Sequence, residues 1–161
     1  VLKHPTVEEV ILAEIDAQVV ETVKRYLPET ACQLDNPKVT VKYVDGIAFV
    51  QQAENEFDAI LVDSPDPFGP AAGLFARDFY SAIHRALKAD GIFAAQTESP
   101  FFNRNLISRV FNAVAEIFPI AKIYQANIPT YPSGYWTFTI GSKQYDPEAV
   151  EQAQIPEIAT K

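Results

Sequence analysis

The stretch FDAILVDSPDPFGP, residues 57–70, decides the fold of this chain. Its first half is a nearly continuous apolar run, which is typical of a central parallel strand covered on both faces of a sheet. Two carboxylates, Asp63 and Asp66, come at the end of this run, with prolines and a glycine among and behind them. Because proline and glycine interrupt regular structure, the strand must end here. The stretch therefore predicts a buried strand whose carboxyl end presents two acidic side chains.

On both sides of this stretch, apolar runs of strand length alternate with stretches of helical periodicity. The predicted strands are 10–16, 38–44, 57–63 and 92–98, and the predicted helices are 17–27, 47–53, 76–91 and 103–118. Gly91 suits the C-cap of the third helix. Two further strands, 121–128 and 135–142, are joined by the turn-rich PTYPSG, which predicts an antiparallel hairpin. The pattern predicts a doubly wound α/β fold, a mostly parallel sheet with this hairpin at its edge.

Composition narrows the possible functions. The 161 residues are 48% hydrophobic and carry a net charge of -8 without a cluster of Lys or Arg, which argues against a nucleic-acid partner. The single Cys32 excludes an internal disulfide and fits a reducing cytoplasm. No apolar run approaches membrane-spanning length, and VLKHPTVEEV lacks the pattern of a signal peptide. We therefore expect a cytoplasmic protein that does not bind membranes.

Polar side chains lie at the carboxyl ends of the predicted strands or directly after them, which is where doubly wound sheets bind ligands. These residues are Glu14, Asp16, Asp45, Asp63, Asp66, Gln96 and Glu98. Each Asp taken singly could be only a turn residue or a helix N-cap. Together they would repel one another, and a fold tolerates such repulsion more readily when a cation lies among them. The pattern predicts a site for a cationic ligand.

Other common catalytic side chains are poorly placed. His4 and His84 are far apart in the sequence and have no Cys or acidic partner at ligand spacing, so we interpret His84 as a helix-surface residue. Ser64 lacks the flanking glycines of a nucleophile elbow. The carboxylates remain the candidates.

Five motifs occur along the chain in a fixed order. They are AEID at 13–16, DG at 45–46, VDSPDPFGPAAGLF at 62–75, AAQTESP at 94–100 and PTYPSGYWTFTIGSK at 129–143. Together they resemble the aminopropyltransferase family, specifically its spermidine synthases. The resemblance covers residues 1–145, predicted to be the catalytic domain, and leaves 146–161 as a polar tail. It implies a Rossmann-like fold of the methyltransferase type.

The family resemblance also implies a reaction. The aminopropyl group of decarboxylated S-adenosylmethionine, a co-substrate, is transferred to putrescine, giving spermidine and methylthioadenosine. No metal and no cofactor is implied. In the family the subunits pair, so a homodimer is expected.

The diamine side of this reaction explains the carboxylates. An alkylammonium has a pKa of about 10, so putrescine arrives protonated and a base must remove a proton before its nitrogen can attack. By resemblance Asp63 is that base and orients the nitrogen, and Asp66 accepts a charge-assisted hydrogen bond from the amine. Ser64, Gln96 and Tyr131 resemble residues that line the amine pocket.

The donor side uses different residues. Glu14 resembles the family's acidic residue that accepts hydrogen bonds from ribose hydroxyls. Asp45 and Gly46 resemble the adenine-binding pair, in which glycine lets the backbone come close. Pro70 would pack near the same nucleoside.

The chain departs from the family pattern in two ways. Pro65 stands where members commonly have Ser or Thr, which removes a hydroxyl and a backbone N–H. The family's Gly-Gly-Gly-Asp-Gly-Gly segment and small N-terminal β domain are not among the 161 residues. In the family a strand lies between VILAEI and AILV, so these two runs are expected to lack a neighbour. Two alternatives stay open: a non-catalytic polyamine-binding module and a methyltransferase of the same fold.

Overall fold

The computed structural model of the chain describes residues 1–149. Most of the predicted polar tail, residues 150–161, lies outside the described residues. The chain divides into two compact units, residues 1–52 and the residues from 53 onward. Each unit has a sheet of its own.

The first unit holds two parallel strands and three helices. In chain order they are β1 (Val10–Glu14), α1 (Ala17–Tyr26), α2 (Pro28–Ala31), β2 (Val39–Tyr43) and α3 (Gly46–Gln52). Strands β1 and β2 pair in parallel, from Val10 opposite Val39 to Glu14 opposite Tyr43. The predicted elements 10–16, 17–27 and 38–44 are confirmed with slightly shorter bounds, the predicted helix 47–53 begins and ends one residue earlier, and α2 was not predicted.

Helix α1 begins where the sequence provides a cap. Asp16 is its N-cap, and the Asp16 Oδ1 accepts a hydrogen bond of 2.8 Å from the Gln18 backbone N–H. Such a cap stabilises a helix by about 1 kcal/mol because it satisfies a backbone donor that lacks an intrahelical partner. Lys24 and Arg25 lie in the last turn, where positive charge interacts favourably with the helix dipole.

The second unit holds a four-stranded sheet in the order β3-β4-β6-β5. Its elements are β3 (Phe57–Val62), α4 (Arg77–Ala86), β4 (Leu87–Gln96), α5 (Arg104–Ile117), β5 (Ile120–Asn127) and β6 (Tyr135–Ser142), with 3₁₀ helices at Gly69–Phe75 and Pro147–Ala149. Strands β3 and β4 are parallel, whereas β6 is antiparallel to both β4 and β5. The mixed α/β fold with its antiparallel hairpin is thus confirmed.

Strand β3 is not the central, doubly covered strand that its apolar run predicts. It lies at one edge of the four-stranded sheet, and the Leu61 side chain is 64% exposed. Among the described residues, β1 and β2 form a separate two-stranded sheet. The apolar composition of β3 therefore does not by itself show whether the strand lies at the centre or at the edge of a sheet.

Gly91 is also not the helix C-cap that the sequence predicts. Helix α4 ends at Ala86, and Leu87 already has extended backbone angles and begins β4. The ladder between β3 and β4 shifts register after the pair of Phe57 and Leu87, so residues 88–91 form an irregularity inside the strand. A Cβ on Gly91 would lie 2.8 Å from the Leu87 Cβ, which explains the glycine there.

The core of the second unit lies between the sheet and helices α4 and α5. Its largest fully buried apolar side chains are Tyr80, Ile83, Leu87, Phe93, Val110 and Val114. His84, interpreted from the sequence as a surface residue, is half-buried, and its ring contacts the Phe118 ring edge-on with centroids 4.9 Å apart. Burial lowers the pKa of His84, and the positive charge of Lys143 lowers it further.

Candidate functional site

The loop that follows β3 carries the two predicted catalytic-site carboxylates. Strand β3 ends at Val62, so Asp63 is the first residue of the loop, and both Asp63 and Asp66 are exposed. Ser64 between them is half-buried. The carbonyl of Asp66 accepts a hydrogen bond of 2.7 Å from the Phe68 N–H, which makes a tight turn before the 3₁₀ helix.

Gln96 joins the end of β4 to this loop. Its Nε2 donates hydrogen bonds to the Ser64 carbonyl oxygen at 2.9 Å and to the Ser64 Oγ at 3.2 Å. The parallel ladder explains this contact, because Val62 pairs with Ala95, which brings Gln96, the last residue of β4, beside the start of the loop after β3. The structure thus brings Ser64 and Gln96 together, as the sequence predicts for one site.

Glu98 is a buried carboxylate beside the same loop. Its side-chain oxygens accept hydrogen bonds from the Gln96 Nε2 at 3.3 Å and from the Asn103 Nδ2 at 3.1 Å. Burial raises the pKa of Glu98; the Gln96 hydrogen bond opposes this shift, and the negative charge of Asp66 adds to it. Two carboxylates that repel one another create a negative potential, which favours a cation.

Glu98 also has an unusual backbone conformation, with φ of +71°. A non-glycine residue in this region costs on the order of 1–3 kcal/mol and persists only where its surroundings hold it. Here the Glu98 N–H donates to the Gln96 Oε1 at 3.0 Å, and the Glu98 carbonyl accepts from the Thr137 N–H at 2.9 Å. The strain therefore lies where β4 turns away from β6 and enters the site.

Two aromatic side chains from the hairpin complete this group. The Trp136 Nε1 donates a hydrogen bond of 2.8 Å to the Gln96 Oε1. Tyr131, which is half exposed, stacks on the Trp136 ring with centroids 4.5 Å apart and planes inclined by 27°. Tyr131 is thus joined through Trp136 to Gln96, and through Gln96 to the loop of Asp63 and Asp66.

In the first unit, the predicted donor-side residues lie at the carboxyl ends of two neighbouring strands. Glu14 ends β1, and its carbonyl accepts a hydrogen bond of 3.0 Å from the Val44 N–H just before Asp45. The Glu14 Oε1 accepts a hydrogen bond of 2.9 Å from the Asp16 N–H. The structure therefore places Glu14 and Asp45 at the same end of the parallel pair.

Asp45 also makes a hydrogen bond to the start of helix α3. Its Oδ1 accepts a hydrogen bond of 2.8 Å from the Ile47 N–H at the start of α3, and no described residue donates to its Oδ2. A Cβ built on Gly46 would meet no atom within 4 Å, so the space in front of this backbone is open. Among residues 1–149, one Asp45 side-chain oxygen is left without a donor, and Gly46 leaves room for a ligand.

The predicted site residues are distributed over both units. Pro70 is exposed and lies in the 3₁₀ helix of the second unit, whereas Glu14, Asp45 and Gly46 belong to the first. Glu98 received no individual role from the sequence. The spacing of Gln96 and Glu98 in the predicted strand could have indicated that both side chains belong to the site, because alternate residues of a strand face the same side.

Residues 1–149 contain neither a membrane-spanning helix nor a cluster of metal ligands. No helix in this part of the chain is long and apolar enough to cross a membrane. No group of three or more His, Cys, Asp or Glu side chains in the same range is arranged to hold a metal ion.

An α/β unit with carboxylates and an amide at the carboxyl ends of its parallel strands has the form of a Rossmann-like ligand-binding domain. A family profile described as Spermine/spermidine synthase domain matches residues 1–152. The chain belongs to this family.

Curated relatives include the polyamine aminopropyltransferases of Moorella thermoacetica, 54% identical, and Clostridium kluyveri, 56% identical, each over all 161 residues. The chain spans 57% and 58% of the length of these two proteins. A solved spermidine synthase in complex with the transition-state analogue AdoDATO is 41% identical with a TM-score of 0.88, and the match covers 91% of this chain and 50% of that one. Spermidine synthase from Thermotoga maritima is also 41% identical, with a TM-score of 0.85 over 91% of this chain and 49% of that protein.

Proposed function

We propose that the protein to which this chain belongs transfers the aminopropyl group of decarboxylated S-adenosylmethionine to putrescine, giving spermidine and methylthioadenosine. The observation that carries this proposal is the loop of Asp63 and Asp66, which Gln96 holds beside the buried Glu98. Carboxylates at this density favour a cationic substrate, and putrescine carries two positive charges at neutral pH. Family membership and the likeness to a spermidine synthase bound to AdoDATO support the same reaction.

On the diamine side, Asp63 takes the proton from the attacking ammonium group. The neutral nitrogen then attacks the methylene carbon next to the sulfonium of the donor, and the carbon–sulfur bond breaks with its electron pair returning to sulfur. Methylthioadenosine leaves as a neutral thioether and therefore needs no acid. Asp66 accepts a hydrogen bond from the amine, and Ser64, Gln96 and Tyr131 line the pocket. Alignment of nitrogen, carbon and sulfur supplies much of the rate.

On the donor side, Glu14 accepts hydrogen bonds from the ribose hydroxyls. The free oxygen of Asp45 and the open space before Gly46 receive the adenine, and Pro70 packs against the nucleoside. The reaction needs neither a metal nor a further cofactor, because the sulfonium already activates the carbon. A homodimer in the cytoplasm, with no nucleic-acid or membrane partner, remains our expectation for the intact protein.

Product analysis tests the proposed reaction. The protein is incubated with putrescine and either decarboxylated S-adenosylmethionine or S-adenosylmethionine, and the products are separated by chromatography. We expect spermidine and methylthioadenosine in equal amounts from the first donor only. Methylated product from the second donor would instead identify a methyltransferase. Putrescine binding without any product would indicate a polyamine-binding module.

A further inference from the structure

The side chain of Gln96 has no polar group left for a substrate. Its Oε1 accepts two hydrogen bonds, from the Trp136 Nε1 at 2.8 Å and from the Glu98 N–H at 3.0 Å. Its Nε2 lies within hydrogen-bond distance of the Ser64 carbonyl, the Ser64 Oγ and the Glu98 Oε1. An amide has two donor hydrogens and two acceptor lone pairs, so protein contacts use all four.

These contacts also fix which way the amide faces. A reversed amide would point its NH₂ group at two N–H donors, those of Trp136 and Glu98, and would point its oxygen at the Ser64 carbonyl. Each of these arrangements is repulsive. The indole N–H of Trp136 therefore helps to keep the Gln96 Nε2 directed at Ser64.

Ser64 is the residue through which Gln96 holds the loop of Asp63 and Asp66. It lies directly after Asp63 and two residues before Asp66, so a bond to its carbonyl restrains the backbone that carries both carboxylates. The Trp136 ring is restrained in turn by stacking on Tyr131. Ring stacking and hydrogen bonds thus connect the hairpin, through Gln96, to the loop that carries Asp63 and Asp66.

We propose that Trp136 and Gln96 are positioning residues, which act together by holding the Ser64 carbonyl and thereby place Asp63 and Asp66 for the diamine. This proposal rests on the proposed function for its consequence in catalysis. Gln96 lines the amine pocket but acts through Ser64 rather than by binding the amine. Trp136 acts through the orientation of the Gln96 amide.

NMR of the intact protein tests the contact directly, without any need for activity. We compare wild type with Trp136→Phe, which removes the indole N–H, and with Gln96→Met, which keeps the side-chain length and removes its polar atoms. The backbone order parameters of Ser64 and Asp66 should fall from about 0.85 to below about 0.6 in both variants. Tyr145→Phe is the matched control, since it removes one side-chain hydrogen bond, to Asp90, at an exposed site.

Two variants are compared so that the test does not depend on the folding of one of them. If Trp136→Phe fails to fold, Gln96→Met makes the same comparison on its own. Order parameters at the wild-type value in folded Gln96→Met would overturn the proposal, as would an equal fall in Tyr145→Phe.

Kinetics distinguish positioning from general damage. In turnover assays, Trp136→Phe should raise the KM for putrescine about tenfold, which is the effect of losing one hydrogen bond, and leave the KM for the donor within twofold. Equal increases in both KM values would overturn the positioning role. If even the wild type forms no spermidine, the proposed function fails, and the order parameters alone decide whether the Trp136–Gln96 pair holds the loop.

Discussion

The carbonyl oxygen of Glu98 accepts two hydrogen bonds from Thr137, one from its backbone N–H and one from its Oγ1, each 2.9 Å long. These bonds hold Glu98 at its φ of +71°, where a residue with a Cβ is strained. The Thr137 Oγ1 also lies 3.1 Å from the Thr97 Oγ1. A hydroxyl on β6 thus stabilises the backbone that carries the buried carboxylate.

Replacing this hydroxyl should destabilise the protein. Thr137→Val keeps the shape of the side chain and its backbone N–H bond but removes the second hydrogen bond to the Glu98 carbonyl, so the free energy of unfolding should fall by about 1 kcal/mol. Urea denaturation followed by circular dichroism measures this change. Ser108→Ala removes a hydroxyl from the exposed face of α5 and should leave the free energy within about 0.5 kcal/mol of wild type. Equal stabilities of Thr137→Val and wild type would show that the hydroxyl is not needed.

The raised pKa of Glu98 predicts a pH dependence of stability. Between its ordinary value in the unfolded chain and its raised value in the folded chain, the folded state binds more protons. The free energy of unfolding should therefore decrease as pH rises through this window. Urea denaturation at several pH values should show that Glu98→Gln lacks this part of the slope, whereas Glu56→Gln, at an exposed carboxylate, keeps it. Identical slopes for wild type and Glu98→Gln would contradict the prediction.

Asp63 is the proposed base, and its amide variant tests that role. Asp63→Asn keeps the size and hydrogen bonding of the side chain but cannot take a proton, so turnover should fall at least about 100-fold. Asp63 is exposed, so the melting temperature should change little. Asp58→Asn, at an exposed position on β3, is the control for loss of a surface carboxylate. Turnover of Asp63→Asn near the wild-type rate would exclude Asp63 as the base.

The two predicted ligand sites can be separated by titration. Glu14→Gln should weaken binding of the nucleoside donor more than binding of putrescine, because it loses only the charge-assisted bonds to ribose. Asp66→Asn should do the reverse. The expected loss for the affected ligand is about 10-fold to 100-fold, as for hydrogen bonds to charged groups. Calorimetric titration of each ligand into each variant measures this, and equal losses for both ligands would refute the assignment.

The exposed edge of β3 predicts self-association of a chain of residues 1–161. An unpaired apolar strand edge recruits other strands, and the Leu61 side chain on this strand is 64% exposed. We expect light scattering to detect oligomers of the wild type and a shift towards monomer for Leu61→Lys, since a lysine on an edge strand opposes pairing. Leu27→Lys adds the same charge at an exposed leucine between two helices. A monodisperse wild-type monomer would show that this edge does not need a partner.

The sequence determined the elements and the region of the site. Alternating runs of strand and helix period predicted most of the strands and helices, because apolar periodicity and local caps such as Asp16 depend on neighbouring residues. The short helix α2 was not predicted, and β4 begins at Leu87, before its predicted start at residue 92. The rule that parallel strands end at the same edge of a sheet predicted that the loop of Asp63 and Asp66 lies near Gln96, and the hydrogen bond from Gln96 to Ser64 agrees with it.

Only the tertiary structure decided what depends on distant parts of the chain. An apolar run cannot tell an edge strand from a central one, so the exposure of β3 depended on the strand order. The end of α4 before Gly91 depended on the pairing of Leu87 with Phe57, about thirty residues away in sequence. The burial of Glu98 and the bond from Trp136 to Gln96 likewise depended on how β6 pairs with β4. Hydrogen bonds and desolvation act between atoms in space, and sequence spacing does not give those distances.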